Sequence, residues 1–131
     1  MKKKLAKLIL IISILITIFL LTFIPHKLVD ISSDDVSSIY IFCGRNGTHI
    51  EITDRDTINH IINNLDSITF QKDSFNFFRM GYAYRITIYT HKYIPYREFI
   101  INSDTNVVYW GFLYYAKTNK INYEFIQSLF S

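Results

Sequence analysis

The sequence predicts an α+β domain hung from one N-terminal transmembrane helix, with an antiparallel sheet of about five to six strands and two helices on one of its faces. Three observations carry that reading. An unbroken apolar run fills Leu8 to Ile24, strict two-residue alternation recurs in several later stretches, and two further segments repeat their apolar residues at helical spacing. The chain has 131 residues, so removing the apolar run leaves roughly 100, enough for one modest domain and too few for two. With 17% aromatic and only 19% charged residues, that remainder can bury enough apolar surface to offset its conformational entropy, which excludes intrinsic disorder.

Leu8 to Ile24 is seventeen residues, fourteen of them Leu, Ile or Phe and the rest Ser or Thr. As helix it is about 25 Å long; with Leu5 and Ala6 added and Lys7 snorkelling to the headgroups, it reaches the roughly 30 Å of a hydrocarbon layer. At about −0.3 to −0.6 kcal/mol per large apolar residue, insertion gains roughly 4–8 kcal/mol, an upper value because off-centre positions count less. A cleaved signal peptide shares the basic start but has a shorter apolar stretch and small residues before the cut. Here the exit reads Phe23, Ile24, Pro25, His26, Lys27, with neither Ala-x-Ala nor a lipoprotein cysteine. The expectation is an uncleaved anchor meeting the lipid bilayer through residues 8–24; a secreted domain freed by signal-peptide cleavage is the alternative. Lys2, Lys3, Lys4 and Lys7 precede the anchor, whereas Lys27 is followed by Asp30, Asp34 and Asp35, which puts the N-terminus in the cytoplasm and the domain outside the cell membrane. The organisation expected is a basic cytoplasmic segment at 1–7, the anchor at 8–24, a polar linker at 25–35 and an extracytoplasmic domain at 36–131.

Ser38 to Cys43 and Thr48 to Ile52 flank the turn residues Gly44, Arg45, Asn46 and Gly47, and so read as a hairpin. With a loop of two or four residues, parity is the same: Ile39, Ile41 and Cys43 share a face with Thr48, Ile50 and Ile52, while Tyr40 and Phe42 share the other with His49 and Glu51. Thr53 or Asp54 then caps a helix with Asp54 and Asp56 in its first turn and an apolar stripe of Ile58, Ile61, Ile62 and Leu65. Ile68 to Phe70 reads as a short strand, and Gln71 to Phe78 has no clear pattern. From Tyr82 to Thr90, Tyr82, Tyr84, Ile86 and Ile88 alternate with Ala83, Arg85, Thr87 and Tyr89.

Pro95 marks the next strand, Tyr96 to Ile101, and Ser103 to Asn106 turns it back into Val107 to Phe112. Pairing across a four-residue turn predicts Ile101 opposite Val108 and Phe99 opposite Trp110 as the core face. Tyr96, Glu98, Ile100, Val107 and Tyr109 would then lie on the other side. The closing helix starts at Asn122 as its cap, with Ile121 and Ile126 as a hydrophobic staple and Phe125, Ile126, Leu129 and Phe130 as its buried stripe.

The formal charge of +3 belongs to the tether. Beyond Lys27, nine basic residues face all eleven acidic ones, a net −2, which argues against nucleic acid as a partner because phosphate recognition needs clustered cations on the folded face. The single Cys43 excludes an internal disulfide and reads as a buried thiol. Hairpin parity sets Cys43 and His49 on opposite faces, against a nucleophilic dyad. His49, His60 and His91 have no ligand spacing, Asp54 and Asp56 read as helix-cap carboxylates, and hydrolase, nucleotide and zinc signatures are absent. No cofactor, metal or catalytic activity is expected. Asn46, Gly47 and Thr48 match a glycosylation acceptor but lie in a tight turn.

Ten Tyr and eleven Phe are the compositional oddity. Most read as core, because a small domain without disulfides needs bulky side chains. Those that parity turns outward, together with their charged neighbours, form the candidate interaction face: Tyr40, His49, Glu51, Tyr96, Glu98 and Tyr109. A protein or glycan at the cell surface is the expected partner, and a toxin-neutralising immunity protein is the alternative.

Ile50 to Asp54 entering a helix, Gly81 and Tyr82 opening an alternating strand, Phe99 to Asp104 at a turn, and Ile121 to Tyr123 before the closing helix give the stretch from Ile39 to Phe130 a family likeness. It resembles a family of small membrane-tethered proteins carrying a domain of unknown function, from low-GC Gram-positive bacteria. The likeness covers about 90 residues, rests on turn, cap and core positions, and implies an envelope location without catalytic residues.

Overall fold

Seven strands pair into one antiparallel sheet in a computed structural model that describes residues 1–75, 83–91 and 94–131. The elements in chain order are α1 (Lys2–Leu21), a 3-10 turn (Ser33–Asp35), β1 (Ser38–Cys43), β2 (His49–Ile52), α2 (Arg55–Asp66), β3 (Thr69–Phe75), β4 (Tyr84–His91), β5 (Ile94–Ile101), β6 (Asn106–Tyr109), β7 (Phe112–Thr118) and α3 (Tyr123–Ser128). The sheet order is β2-β1-β4-β5-β6-β7-β3, so α2 carries the chain from one edge strand to the other. The fold is α+β, with one strand beyond the expected range.

The first hairpin pairs as parity requires, with Ile39 opposite Ile52, Tyr40 opposite Glu51, Ile41 opposite Ile50 and Phe42 opposite His49. Adding β4 sets Ile88 and Ile86 beside Ile39 and Ile41, and β5 sets Phe99 beside Ile86. This is the core face. The α2 stripe of Ile58, Ile61, Ile62 and Leu65 is buried in the same cluster. Asp54 caps α2 by accepting from the Thr57 backbone N–H at 3.0 Å, and hydrogen bonding from the Thr57 side chain first and its backbone second holds the Asp54 carboxyl below the ordinary aspartate range.

Several expectations are corrected. Ile101 pairs with Val107 and Ile100 with Val108, one residue off the expected register, so Val107 and Tyr109 turn to the core side and Val108 to the other. Val107 to Phe112 is two strands, because Trp110 and Gly111 take positive φ of 51° and 77° and form a two-residue hairpin turn closed by Tyr109 and Phe112. Residues 71–75 extend β3, while residues 76–78, and Tyr82 of the later alternating stretch, lie outside the described residues. Asn122 stands at the α3 N-cap without a side-chain cap bond; its amide meets His60 Nε2 at 2.8 Å instead. Ile121 and Ile126 are both buried, but Phe125, Leu129 and Phe130 only half so.

The segment expected to be a polar linker is built into the domain. Leu28, Val29 and Val36 are buried in the core, and Arg55 reaches across to the Ser33 and Val36 carbonyls at 3.1 and 2.6 Å. His26 and Phe70 exchange backbone hydrogen bonds of 3.0 and 2.7 Å, so this segment also covers part of the outer edge of β3. Between it and α1 lie only the few residues after Leu21, where the helix ends rather than at Ile24. α1 has no buried residue and is long and apolar enough to cross a membrane.

Candidate functional site

Strand pairing sorts the candidate residues into two groups. Glu51, Tyr40, Thr87 and Glu98 form one continuous cross-strand row over β2, β1, β4 and β5. Beside it runs a second row, His49, Phe42, Arg85, Ile100, Val108 and Leu113. Both rows lie on the face turned away from the buried isoleucines, hence away from α2. Tyr40, His49, Glu51 and Glu98 therefore come together, as parity predicts.

Local contacts order this face. The Tyr40 and His49 rings stack at 5.3 Å, the Arg85 guanidinium lies 5.1 Å over Phe42, and the Thr87 hydroxyl donates to Glu98 Oε2 at 3.2 Å. A depression of about 190 Å³ opens where Arg85, Glu98 and Ile100 meet the turn residue Trp110, whose indole is 83% exposed. Aromatic planes beside a carboxylate and a guanidinium suit a polar partner with flat apolar patches, such as a peptide or a sugar.

Tyr96 and Tyr109 do not join that group. The Tyr96 hydroxyl accepts from the Asp30 N–H at 3.1 Å and meets the Asp30 carbonyl at 3.2 Å. Between the two tyrosines, Arg97 donates through Nε to the Leu28 carbonyl at 3.0 Å and lies 4.7 and 5.9 Å from their rings. Tyr96 and Arg97 clamp the incoming segment onto the sheet, with the Tyr109 ring beside Arg97. Register irregularities around Tyr89 and His91 displace Tyr96 from the parity of Glu98, and the slip in β6 displaces Tyr109.

The structure also brings together a group that sequence reasoning missed. Lys72 sits in β3 beside Tyr114 on the core side, only 7% exposed. Its Nζ donates to Thr22 Oγ1 at 2.7 Å and lies 4.1 Å from the Phe112 ring centroid, 5.2 Å from Phe23, 5.3 Å from Phe19 and 6.0 Å from Tyr114. Gln71 donates to the Phe23 carbonyl next door. Burial lowers the Lys72 ammonium below the ordinary lysine value and raises the Tyr114 phenol above its own. Ring faces and the negative C-terminal end of α1 favour the cation there, yet no carboxylate pairs with it among the described residues. The available signal was parity alone, since Lys72 follows the buried Phe70 by two.

The remaining candidates resolve locally. Cys43 is buried on the core face, with His49 on the other. His60 stacks on Phe125 at 3.8 Å and ties α3 to α2, while His91 ends β4. Among the described residues, no three His, Cys, Asp or Glu side chains converge as metal ligands. No protein-family model, curated protein or solved structure matches this chain.

Proposed function

We propose that the protein is a single-pass membrane protein, its N-terminus cytoplasmic and its α+β domain outside, acting as a binding module for a protein or glycan at the cell surface through the face of Tyr40, His49, Glu51 and Glu98. The observation that carries this reading is α1, twenty residues of helix with no side chain buried against the domain that follows. An apolar surface of that length left bare is stable in lipid and costly in water. The junction favours retention of the helix over cleavage. A cut near Pro25 would strip the Lys72 cage of Phe19, Phe23 and its hydroxyl partner Thr22. Lysines on one side and aspartates on the other support the orientation.

Two measurements test this. Intact cells carrying a C-terminal epitope are expected to lose it to added protease, and the chain is expected to stay in vesicles through alkaline washing. A protected epitope reverses the orientation, and a mature N-terminus beyond Pro25 removes the anchor. For the face, Glu51→Lys combined with Glu98→Gln is expected to change stability by only about 0.5 kcal/mol, because both side chains are exposed and glutamine still accepts from the Thr87 hydroxyl. The same pair should abolish crosslinking of surface partners on intact cells. Unchanged crosslinks would move binding elsewhere.

A further inference from the structure

The end of α1 and the edge of the sheet enclose a groove of about 450 Å³ lined by Leu21, Thr22, Ile24, His26, Lys72 and Tyr114. Its apolar wall is the last turn of the helix read as the anchor. Its polar groups gather at one level of that helix. The Lys72 ammonium uses one donor on Thr22 Oγ1, leaving two N–H groups with no oxygen among the described residues. His26 Nδ1, 2.8 Å from the Ile24 carbonyl, must carry the proton of that contact, which leaves Nε2 with no hydrogen-bond partner among the described residues.

Depth fixes what meets this groove. If the hydrocarbon layer starts at Leu5, its roughly 30 Å ends near Ile24. Thr22 and Lys72 then lie at the boundary of tails and headgroups. Phe19, whose ring is 6.3 Å from Phe112, is about 4.5 Å deeper than Thr22. Phe75, 59% exposed and 4.5 Å from Phe112, carries the apolar surface outward from α1. A nine-tenths buried cation with no carboxylate partner among the described residues, opening at the boundary of tails and headgroups and walled by acyl-compatible side chains, is complementary to one class of molecule.

We infer that this groove is a binding site for an anionic phospholipid of the bilayer that α1 crosses, its phosphate on Lys72 and its first acyl carbons along Leu21 and Ile24. The inference rests on the anchor reading given above. Thr22 holds the ammonium toward the groove, and the aromatic rings set its position while keeping water away. The headgroup phosphate supplies the charge that the protein leaves out.

The test uses the full chain in neutral detergent micelles, titrated with phosphatidylglycerol, phosphatidylcholine or inorganic phosphate, with bound lipid counted by native mass spectrometry and the melting temperature followed in parallel. Phosphatidylglycerol is expected to bind about tenfold more tightly than phosphatidylcholine, whose phosphate can make the same hydrogen bond but whose choline cation offsets its pull on Lys72. Lys72→Met should bring the two lipids to parity. Methionine fits the aromatic cage, so this variant should melt cooperatively, and Lys72→Arg should keep the preference. Equal affinity for both lipids in the wild type, or a preference that survives Lys72→Met, overturns the site while leaving the anchor intact. Stabilisation by inorganic phosphate equal to that by phosphatidylglycerol overturns the lipid as the source of the anion. Release of the chain from vesicles by alkaline washing overturns the anchor reading and this site with it.

Discussion

Phe99→Ala is expected to lower the stability of the domain by about 3–5 kcal/mol, a loss comparable with the whole margin of a small domain. Phe99 lies in a central strand opposite Ile86 and is 2% exposed. The strands on both sides of β5 hold its neighbours in place through their ladders, so the cavity left by the ring cannot collapse. At about 4–8 °C per kcal/mol for a domain of this size, the melting temperature should fall by at least 12 °C. Urea titration in detergent micelles, followed by far-UV circular dichroism, measures the loss. Val108→Ala offers the contrast. Val108 lies on the opposite face and, though buried at 8% exposure, stands outside the core cluster, so its loss should cost far less, fewer carbons being removed. Equal losses at the two positions would contradict the assignment of the core to the helix-bearing face.

The contrast between those positions also shows where the sequence was legible. The first hairpin and α2 were readable because each pattern permits one answer: either loop length gives the same parity around Gly44 to Gly47, and the four apolar residues of α2 fit only a helix. The β5–β6 turn admits two answers. Asn102 N–H bonds to the Asn106 carbonyl at 3.0 Å, closing a loop of Ser103 to Thr105. The Ser103 hydroxyl tightens it by accepting from the backbone N–H of Thr105 and Asn106 at 3.2 and 3.0 Å. That side-chain bonding favours the shorter loop, and a shift of one residue exchanges the faces of Val107, Val108 and Tyr109. β7 was hidden for a different reason. Its only punctuation is Gly111, and a tryptophan at positive φ beside it is no turn signal.

The candidate face divides along the same line. Tyr40, His49, Glu51 and Glu98 come together because they depend on parity within β1, β2 and the regular part of β5, whereas Tyr96 and Tyr109 depend on an irregular strand start and on the slipped register. The Lys72 site could not be read from local pattern at all. Its members come from the end of α1, from β3 and from β7, and only the closed sheet places them together.

The second large effect concerns the segment between anchor and sheet. A polypeptide starting at Val36, the boundary that composition suggests, is expected not to fold, whereas one starting at His26 should melt cooperatively. Leu28 is 3% exposed and Val29 fully buried, so at about 1.5–3 kcal/mol for each side chain removed from water the shorter piece forgoes roughly 3–6 kcal/mol. It also strips the Leu28 carbonyl from Arg97 and the Asp30 backbone from Tyr96, uncovers Arg97 on the core side, and exposes the edge of β3 that His26 pairs. Starting at His26 keeps all of these and gives up the helix-end contacts of Lys72, Gln71, His26 and Phe112, of which the Lys72 ammonium then regains water. Circular dichroism melts and the dispersion of amide resonances distinguish the two pieces. Cooperative melting at one temperature in both would mean that residues 26–35 are a passive spacer; collapse of the shorter piece alone means that they are part of the folded domain. In that case the His26–Phe70 bridge and the core residues Leu28 and Val29 bring the folded domain to within four residues of the end of α1, and under the proposed function that short junction would limit the heights and angles at which the open face meets its partner.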